Sequence, residues 1–155
     1  MKFEFSIFIP APRDVVWRVA QDTVNRPTWD VRVRQYDVHG IAAPGTPLSI
    51  DFRVPFQHVH ATGEFVRFDP PRQSAIRIDT VTPPLIPPGG GTWIFDEAPG
   101  GTIFTTRFNL KDRQPGAFPD WLLKISAYVD TWRSLRKLRR RVAQLKAPQE
   151  LSQTG

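Results

Sequence analysis

Two histidines near the middle of the chain are the first residues whose spacing could support chemistry. His58 and His60 stand two positions apart in a stretch with the pattern of a β-strand, so they would share one face. Two imidazoles could bind zinc if Asp51 or Glu64 joined them, but no third ligand is compelling, and we predict no metal site. If His60 faces inward it could be a catalytic acid or base, because its unperturbed pKa lies near ~6.5. Otherwise the pair lies at a cavity mouth or in solvent.

Most other common catalytic arrangements are absent. The chain has no cysteine, which excludes disulfides, thiolate zinc sites and a cysteine nucleophile. No serine lies in a Gly-x-Ser-x-Gly turn, so covalent hydrolase chemistry is not expected. The strand carboxylates Asp51, Glu64 and Asp79 are expected on the solvent face. Residues 89–91 are three glycines, but they lack the Gly-Lys-Ser/Thr element of a phosphate-binding loop. With the prolines before them, they predict either a mobile lid over a cavity or a passive loop between two strands.

The elements that must position these groups can be read from the hydrophobic periodicity. Period-two alternation predicts seven strands, and apolar residues at three- and four-residue steps predict a short early helix and a long C-terminal helix. A second short helix could follow the first, and proline and glycine exclude regular structure over residues 82–91. The predicted strands cover about 2–9, 31–39, 48–54, 57–68, 75–81, 92–96 and 102–110, and the helices about 13–21 and 119–145.

Composition indicates one folded domain. With 155 residues and 40% hydrophobic residues, we predict a single domain over residues 1–147 and a disordered tail over 148–155. The N-terminus lacks the apolar region of a signal peptide, and no apolar run approaches the ~20 residues of a membrane span. Together with the absence of cysteine this favours the cytoplasm.

The net charge of +6 is concentrated on the C-terminal helix. A basic run of this kind is usually a solvated helix face, but it could also dock an acidic acyl carrier protein. Nucleic acid binding is not expected, because no binding motif accompanies the charges. The run consists of Arg133, Arg136, Lys137, Arg139, Arg140, Arg141 and Lys146.

Seven strands joined by short turns form an antiparallel sheet, and one long amphipathic helix must pack on one face of it. If the sheet curls, the helix need not fill the concave side, and a cavity remains that aromatic and aliphatic side chains would line. Trp93 and Tyr128 lie on elements that bound such a cavity, and Arg77 is a further candidate for its wall. The full set of predicted ligand contacts is Trp29, Phe52, Phe65, Arg77, Trp93, Phe95, Phe108, Tyr128 and Trp132.

Several short motifs occur along the chain in a recognisable order. They are residues 9–17 after the first strand, Trp29 after the first helix, residues 68–72, residues 100–102 and the long C-terminal helix. This layout resembles the helix-grip domains of the START and Bet v 1 superfamily, also called SRPBCC. The resemblance implies an α+β fold in which a curved seven-stranded antiparallel sheet wraps around the C-terminal helix, with one or two short helices after the first strand.

Three stretches are similar to the aromatase/cyclase branch of that superfamily, which folds and dehydrates aromatic polyketides. They are the spacing from Trp29 to Tyr36, residues 66–68 before the Asp-Pro-Pro turn, and residues 109–120. In that branch a cavity arginine and a cavity tyrosine are the proposed acid/base groups. The resemblance gives these roles to Arg67 and Tyr36.

The pair makes physical sense in an apolar cavity. Arginine keeps its proton there and could hold an enolate, and a phenol beside it would have its ionised form favoured, so it could relay protons. Phe65 and Val66 stand where the branch carries serine and histidine. The alternative is that Arg67 is an exposed strand residue and Tyr36 belongs to the core.

Three functions remain open from the sequence. The first is a cofactor-free polyketide cyclase or dehydratase in which Arg67 steadies an enolate and Tyr36 moves the proton. The second is a protein that binds or transports a lipid or another hydrophobic ligand without chemistry. The third is a structural domain with a closed core. The expected partner is a hydrophobic small molecule or polyketide intermediate, and the chain could be a monomer or a homodimer.

Overall fold

The computed structural model describes residues 1–112 and 115–154, with side chains described up to residue 145. The predicted order of elements is confirmed, and α1 begins and ends at the predicted residues. A 3₁₀ helix follows it and corresponds to the possible second short helix. In chain order the elements are β1 (Lys2–Ile9), α1 (Arg13–Gln21), the 3₁₀ helix (Arg26–Thr28), β2 (Val33–Val38), β3 (Pro47–Val54), β4 (Gln57–Asp69), β5 (Gln73–Thr82), β6 (Gly89–Ala98), β7 (Gly101–Leu110) and α2 (Asp120–Thr154).

All seven strands form one antiparallel sheet. Strands β2 to β6 each pair with the next strand along the chain, and β1 adds beside β7, so that β1 and β2 are the two edges. The sheet curls, and α1 and α2 pack on its concave side. The α+β helix-grip prediction is therefore confirmed.

Irregular pairing bends the middle of the sheet. The register shifts between Val33 and Gln35 in β2, and twice in β4, between Thr62 and Gly63 and between Phe65 and Arg67. A β-bulge bends its strand, increases the local twist and changes the face on which the following side chains lie. The shifts in β4 thus help the sheet to curl and decide which of its residues face inward.

The three consecutive glycines lie in a strand, which corrects the prediction that residues 82–91 lack regular structure. Strand β6 begins at Gly89, where a Cβ atom would collide with the backbone carbonyl oxygen of Asn109 on β7. A Cβ atom at Gly91 would lie 3.2 Å from the ring of Trp93. Glycine here permits a close approach of backbone and ring, and it does not mark a break in the strand.

The apolar residues that recur along the long helix predict one buried stripe of large side chains, but the first half of the helix buries a different stripe. In its first half α2 turns small or polar side chains inward, Ala127, Thr131 and Ser134, together with Leu123. Its second half buries Leu135, Leu138 and Val142, as the periodicity predicts. The large apolar residues of the first half are exposed, namely Trp121, Ile125, Tyr128, Val129 and Trp132.

Helix α2 also continues beyond its predicted end. It runs to Thr154, although the sequence predicts disorder over residues 148–155. Residues 149–151 are Gln, Glu and Leu, which are good helix formers, so the segment can extend a helix that has already begun. No helix in the described part of the chain is long and apolar enough to cross a membrane.

Candidate functional site

A cavity of about 160 Å³ lies between the concave face of the sheet and the first half of α2. Aliphatic and aromatic side chains form most of its wall. The cavity reaches the surface at the end of the β3–β4 hairpin, where its lining includes the exposed Arg53. The apolar wall includes Ile50, Phe52, Ile78, Trp93, Phe108 and Leu123.

Small side chains on the facing elements keep this space open. Helix α2 contributes Ser126 and Ala127, strand β7 contributes Thr106, and strand β6 contributes Gly91. If the exposed residues of α2 had faced inward instead, rings would have filled the same volume. The predicted gap between sheet and helix is therefore present, and the choice of which α2 residues face it explains why.

Arg26 is the central charged group of the cavity wall. It begins the 3₁₀ helix and is only 4% exposed. Its guanidinium lies close to two indole rings, with Cζ 4.5 Å from the ring centre of Trp29 and 4.6 Å from that of Trp93. Its Nε donates to Oδ2 of Asp30 at 3.2 Å and its Nη1 to the carbonyl oxygen of Ala20 at 3.3 Å. The buried cation is thus held by cation–π contacts as well as by hydrogen bonds.

Asp30 holds the charged cluster together. Its Oδ1 accepts from the backbone N–H of Arg32 at 3.2 Å, from Nε of Arg32 at 3.3 Å and from Oγ of Ser134 at 3.4 Å. Burial alone would raise the pKa of this carboxyl group. The charges of Arg32 and Arg26, with the hydrogen bonds they donate, outweigh burial and lower the pKa of Asp30 below its usual value. Asp30 is therefore ionised at neutral pH.

Tyr36 lies on β2 in the same wall and is 6% exposed. The centre of its ring is 5.7 Å from Cζ of Arg26. Burial raises the pKa of Tyr36 to about 12; the charge of Arg26 opposes this rise and that of Asp30 adds to it. The neighbouring Arg26 does favour the phenolate, but loss of hydration has the larger effect, so the neutral phenol is the favoured form. Tyr36 is a neutral hydrogen-bond donor in the ligand-free protein.

Arg67 lies outside the cavity. It follows the second register shift of β4, and its side chain is exposed and absent from the cavity wall, whereas Phe65 and Phe68 on either side face the core. The shift puts both Val66 and Arg67 on the outer face, an arrangement that simple alternation cannot foresee. The structure therefore does not bring Arg67 and Tyr36 together, and Arg26 occupies the position beside the tyrosine.

His60 and Arg77 also lie on the outer face of the sheet. Nδ1 of His60 lies 2.6 Å from Oδ1 of Asp51. Arg77 donates to Glu64 at 2.7 Å and to Asp79 at 2.8 Å. The predicted general acid or base is thus hydrogen-bonded to a carboxylate on the neighbouring strand, and the predicted wall residue forms exposed ion pairs with Glu64 across the strands and with Asp79 along its own strand. Residues 1–112 and 115–145 contain no group of three or more His, Cys, Asp or Glu side chains that could hold a metal ion.

The predicted aromatic contacts divide into four groups. Phe52, Trp93 and Phe108 line the cavity, whereas Trp29 lies behind Arg26. Phe65 and Phe95 belong to the packed core, where Phe95 lies 5.0 Å from both Trp17 and Phe104, measured between ring centres. Tyr128 and Trp132 are outside the cavity wall, since they lie on the exposed side of α2 and contact Phe5 of the edge strand β1.

The sequence analysis missed Arg26 and Asp30. Asn25, Arg26 and Pro27 are residue types that interrupt regular structure and drew no functional prediction, although a short helix starts at Arg26 and the cluster forms around it. One signal was available: an arginine and an aspartate four residues apart, with a tryptophan between them, in a segment otherwise rich in turn residues. That spacing brings the two charges together on one helical turn.

The segment between β5 and β6 closes one side of the cavity. Ile86 and Pro87 line it. The backbone N–H of Phe118 donates to the carbonyl oxygen of Leu85 at 2.8 Å, and that of Lys111 donates to Pro88 at 2.9 Å. Both bonds join this segment to the chain that leads from β7 into α2. Whether the segment opens as a lid stays a prediction.

Comparisons with known proteins agree with this architecture. Residues 1–146 match the family model described as polyketide cyclase / dehydrase and lipid transport. No curated protein matches the chain. An aromatase/cyclase from a Streptomyces species has a similar structure, with a TM-score of 0.74, 16% identity, and coverage of 93% of this chain and 94% of that one.

Two further solved structures show the same fold. A START superfamily protein from Mycobacterium smegmatis has a TM-score of 0.75 and 13% identity, and 93% of this chain and 98% of that one are covered. A protein from Thermus thermophilus has a TM-score of 0.73 and 20% identity, with 94% and 99% covered. At these identities the likeness concerns the fold.

Proposed function

Because the chain belongs to the polyketide cyclase / dehydrase and lipid transport family, we propose that it binds a poly-ketone or similar apolar substrate and cyclises or dehydrates it without a cofactor. One observation carries the proposal. The phenol of Tyr36 and the guanidinium of Arg26 form one polar wall of a cavity whose other walls are mostly apolar. An apolar ligand with ketone or hydroxyl oxygens fits that division.

Tyr36 supplies the proton in this proposal. Its pKa, raised to about 12, keeps the phenol neutral at physiological pH, so it donates to a substrate oxygen. In a dehydration the carbon–oxygen bond breaks, and the departing hydroxide takes the Tyr36 proton to form water. The resulting phenolate is a strong base and removes a proton from the adjacent carbon as the double bond forms. Tyr36 is thereby restored, and no other reagent is consumed.

Arg26 stabilises the negative charge that develops on oxygen. Asp30, Ala20 and two indole rings fix its position before any substrate arrives. A fixed charge in a site with little water stabilises an enolate more than the same charge does in solution. The proposal thus replaces Arg67 with Arg26 as the cavity arginine.

The cavity volume limits what the closed protein encloses. Its 160 Å³ is close to the ~150 Å³ of an apolar cavity that accommodates benzene. A substrate of several rings would therefore place one ring near Tyr36 and extend past Arg53, or would require the segment that carries Ile86 and Pro87 to move.

A non-catalytic binding or transport function is the alternative. It is favoured by the hydrogen bonds that Arg26 already makes with Asp30 and Ala20, which leave it fewer donors for a reaction. Such a protein would use the same cavity for a lipid or another hydrophobic ligand.

The decisive experiment follows candidate polyketide intermediates by mass spectrometry with wild type, Tyr36→Phe and Arg67→Gln. We expect Tyr36→Phe to lower turnover by about a hundredfold or more, since proton transfer by a positioned side chain contributes on that order. Arg67→Gln is the matched control and should keep wild-type turnover, because its side chain is exposed. Equal turnover in wild type and Tyr36→Phe would contradict the mechanism. Binding without turnover in wild type would favour the transport alternative.

An acyl carrier protein is the partner that we propose for the basic half of α2. Five exposed cations follow one another there without an acid among residues 131–145, and the exposed apolar side chains of the first half lie next to them along the helix. The cations are Arg133, Arg136, Lys137, Arg139 and Arg140.

An acidic carrier protein could pair with the cations and place its attached substrate near the cavity. Titration of a purified carrier protein should show binding that weakens with salt and is lost in Arg136→Glu/Arg140→Glu. Unchanged affinity in that variant would contradict the assignment. A cytoplasmic location, where such partners occur, stays a prediction.

A further inference from the structure

The charges in the cavity wall do not balance. The wall contains four arginines, Arg26, Arg32, Arg53 and Arg107, but Asp30 is its only acid among the described residues. Arg107 is paired with Glu4 on the outer face. The three others share the charge of one carboxylate. The wall therefore carries an excess of positive charge beside an apolar space.

We propose that the ligand is an organic monoanion, an apolar ring or chain that carries one carboxylate, and that its charged group binds against Arg26 and Arg32. The inference rests on the proposed function, in which this cavity holds a hydrophobic small molecule, and it names the class of that molecule. An anion supplies the charge that Asp30 alone cannot. Without it, two cations and one anion remain together at a site with little access to water, which is unfavourable.

The geometry of Arg26 leaves one edge for the ligand. Nε and Nη1 donate to Asp30 and Ala20, and Cζ lies within 4.6 Å of the ring centres of both Trp29 and Trp93. Within residues 1–112 and 115–145 its remaining nitrogen, Nη2, makes no hydrogen bond. Guanidinium groups bind carboxylates in their own plane, so the free edge suits a carboxylate oxygen.

Arg32 offers a second cationic contact from the same wall. Its Nε is engaged by Asp30, and its Cζ lies 5.1 Å from the ring centre of Phe108, which lines the cavity. The guanidinium thus lies against a ring of the cavity wall, with part of the side chain accessible. Tyr36 adds a neutral hydroxyl donor close to Arg26. Donors are gathered at this wall, whereas the apolar residues line the rest of the space.

The competing explanation is a purely structural cluster in which the two arginines only position Asp30 and the loop that follows the 3₁₀ helix. In that case a neutral ligand would bind as well as a charged one of the same shape. The two explanations therefore predict different preferences within a pair of isosteric ligands, which makes them separable by binding measurements.

The test measures binding of 2-naphthoate and 2-naphthamide to the full-length protein by calorimetry. The two probes share their ring and differ in charge. We expect the carboxylate to bind about tenfold more tightly or better, since hydrogen bonds to charged groups contribute more than neutral ones. Arg32→Gln should reduce this preference to near unity, because it weakens binding of the carboxylate much more than binding of the amide. Arg34→Gln, which removes the same charge two residues away at an exposed position outside the cavity wall, should keep it.

Three results would overturn the proposal, and they distinguish it from the proposed function. Equal affinity for both probes would reject the monoanion while leaving hydrophobic binding intact. An equal loss of amide and carboxylate affinity in Arg32→Gln, with unchanged thermal stability, would also reject it. Binding of neither probe to wild type would remove the hydrophobic site itself, and the inference with it.

Discussion

Nε of Arg26 lies 3.2 Å from Oδ2 of Asp30, and both side chains are almost completely buried. The other carboxylate oxygen of Asp30 lies 3.3 Å from Nε of Arg32. One acid therefore orients both of the arginines to which we assign ligand contacts. The stability of the fold and the geometry of the site depend on the same carboxylate.

Replacement of Asp30 should destabilise the protein strongly. Asp30→Asn leaves the buried guanidinium of Arg26 without its counter-charge, a change that typically lowers the free energy of unfolding by about 3–5 kcal/mol. Urea denaturation measures this. The exposed pair of Asp14 and Arg18, 3.9 Å apart, provides the control, and Asp14→Asn should cost less than about 1 kcal/mol. If Asp30→Asn lowers the free energy of unfolding by less than about 1 kcal/mol, the pair of Arg26 and Asp30 is not important for stability.

The contribution of Asp30 to the free energy of unfolding should disappear at acidic pH. Its pKa is lower in the folded protein than in the unfolded chain, where it is near ~3.9, so its stabilisation is fully present above that value and is lost as the pH falls through the folded pKa. The difference in unfolding free energy between wild type and Asp30→Asn should be constant from about pH 5 to about pH 7 and shrink at lower pH. A difference that grows in acid would show that the carboxyl group is not stabilised as an anion.

Ionisation of Tyr36 should lower the free energy of unfolding at alkaline pH. Because its pKa is raised to about 12, the folded protein resists ionisation of a phenol that titrates near ~10 in the unfolded chain. The stabilisation is present below the unfolded pKa and is lost as the pH rises toward the folded one, a loss of about 3 kcal/mol if the fold persists. Near-ultraviolet titration should show a late phenolate transition that is missing in Tyr36→Phe. A normal titration of both tyrosines would contradict the burial argument.

Filling the cavity should block the ligand without harming the fold. Ala127 faces the cavity, so Ala127→Leu places a larger side chain in space that is otherwise vacant, and binding of 2-naphthoate should weaken about tenfold or more. Thermal stability should stay equal or rise, because an added apolar group in a void gains contacts. Ala143→Leu, on the exposed face of the same helix, should leave binding unchanged. Equal binding in all three proteins would place the ligand elsewhere.

The first glycine of β6 should be sensitive to substitution. A Cβ atom at Gly89 would collide with the carbonyl oxygen of Asn109, so Gly89→Ala must push β6 and β7 apart, at a cost of about 1–3 kcal/mol. At Gly90 the nearest atom to an added Cβ is the carbonyl oxygen of Ile76 at 3.1 Å, and Gly90→Ala should cost less. Denaturation of both variants compares the two positions. An equal effect would mean that lost strand flexibility, and not the collision, dominates.

Local periodicity was sufficient to predict the order of the elements, and the family resemblance supplied the helix-grip arrangement. The alternating residues of β1 and β3 and the apolar face of α1 each follow from a repeat that short segments show by themselves. The side of α2 that faces the sheet could not be predicted in the same way. Its first half carries two stripes, one large and apolar, the other small, and only the curvature of the sheet decides which one is buried.

The candidate site was less accessible from the sequence. The family resemblance assigns Tyr36 to the cavity, and Tyr36 lines it because the register shift between Val33 and Gln35 turns it inward, whereas simple alternation from Val33 would put it outside. A shift in β4 turns Arg67 outward. Arg26 lies in a segment with no periodic pattern, and it is covered by the nearby Trp29 and also by Trp93, which lies on a strand far along the chain. Long-range contacts of that kind have no local signature.

The placement of small residues on the inner side of the first half of α2 has a dynamic consequence. The second half of α2 is anchored by three apolar side chains that are at most 1% exposed, Leu135, Leu138 and Val142. The first half has only the apolar side chains of Leu123 and Ala127 in comparable positions. Segments with few buried apolar contacts open locally at lower free energy than the rest of a protein. We expect the N-terminal turns of α2 to detach from the sheet while the turns around Leu135 to Val142 stay packed. A ligand larger than the cavity could then enter without global unfolding.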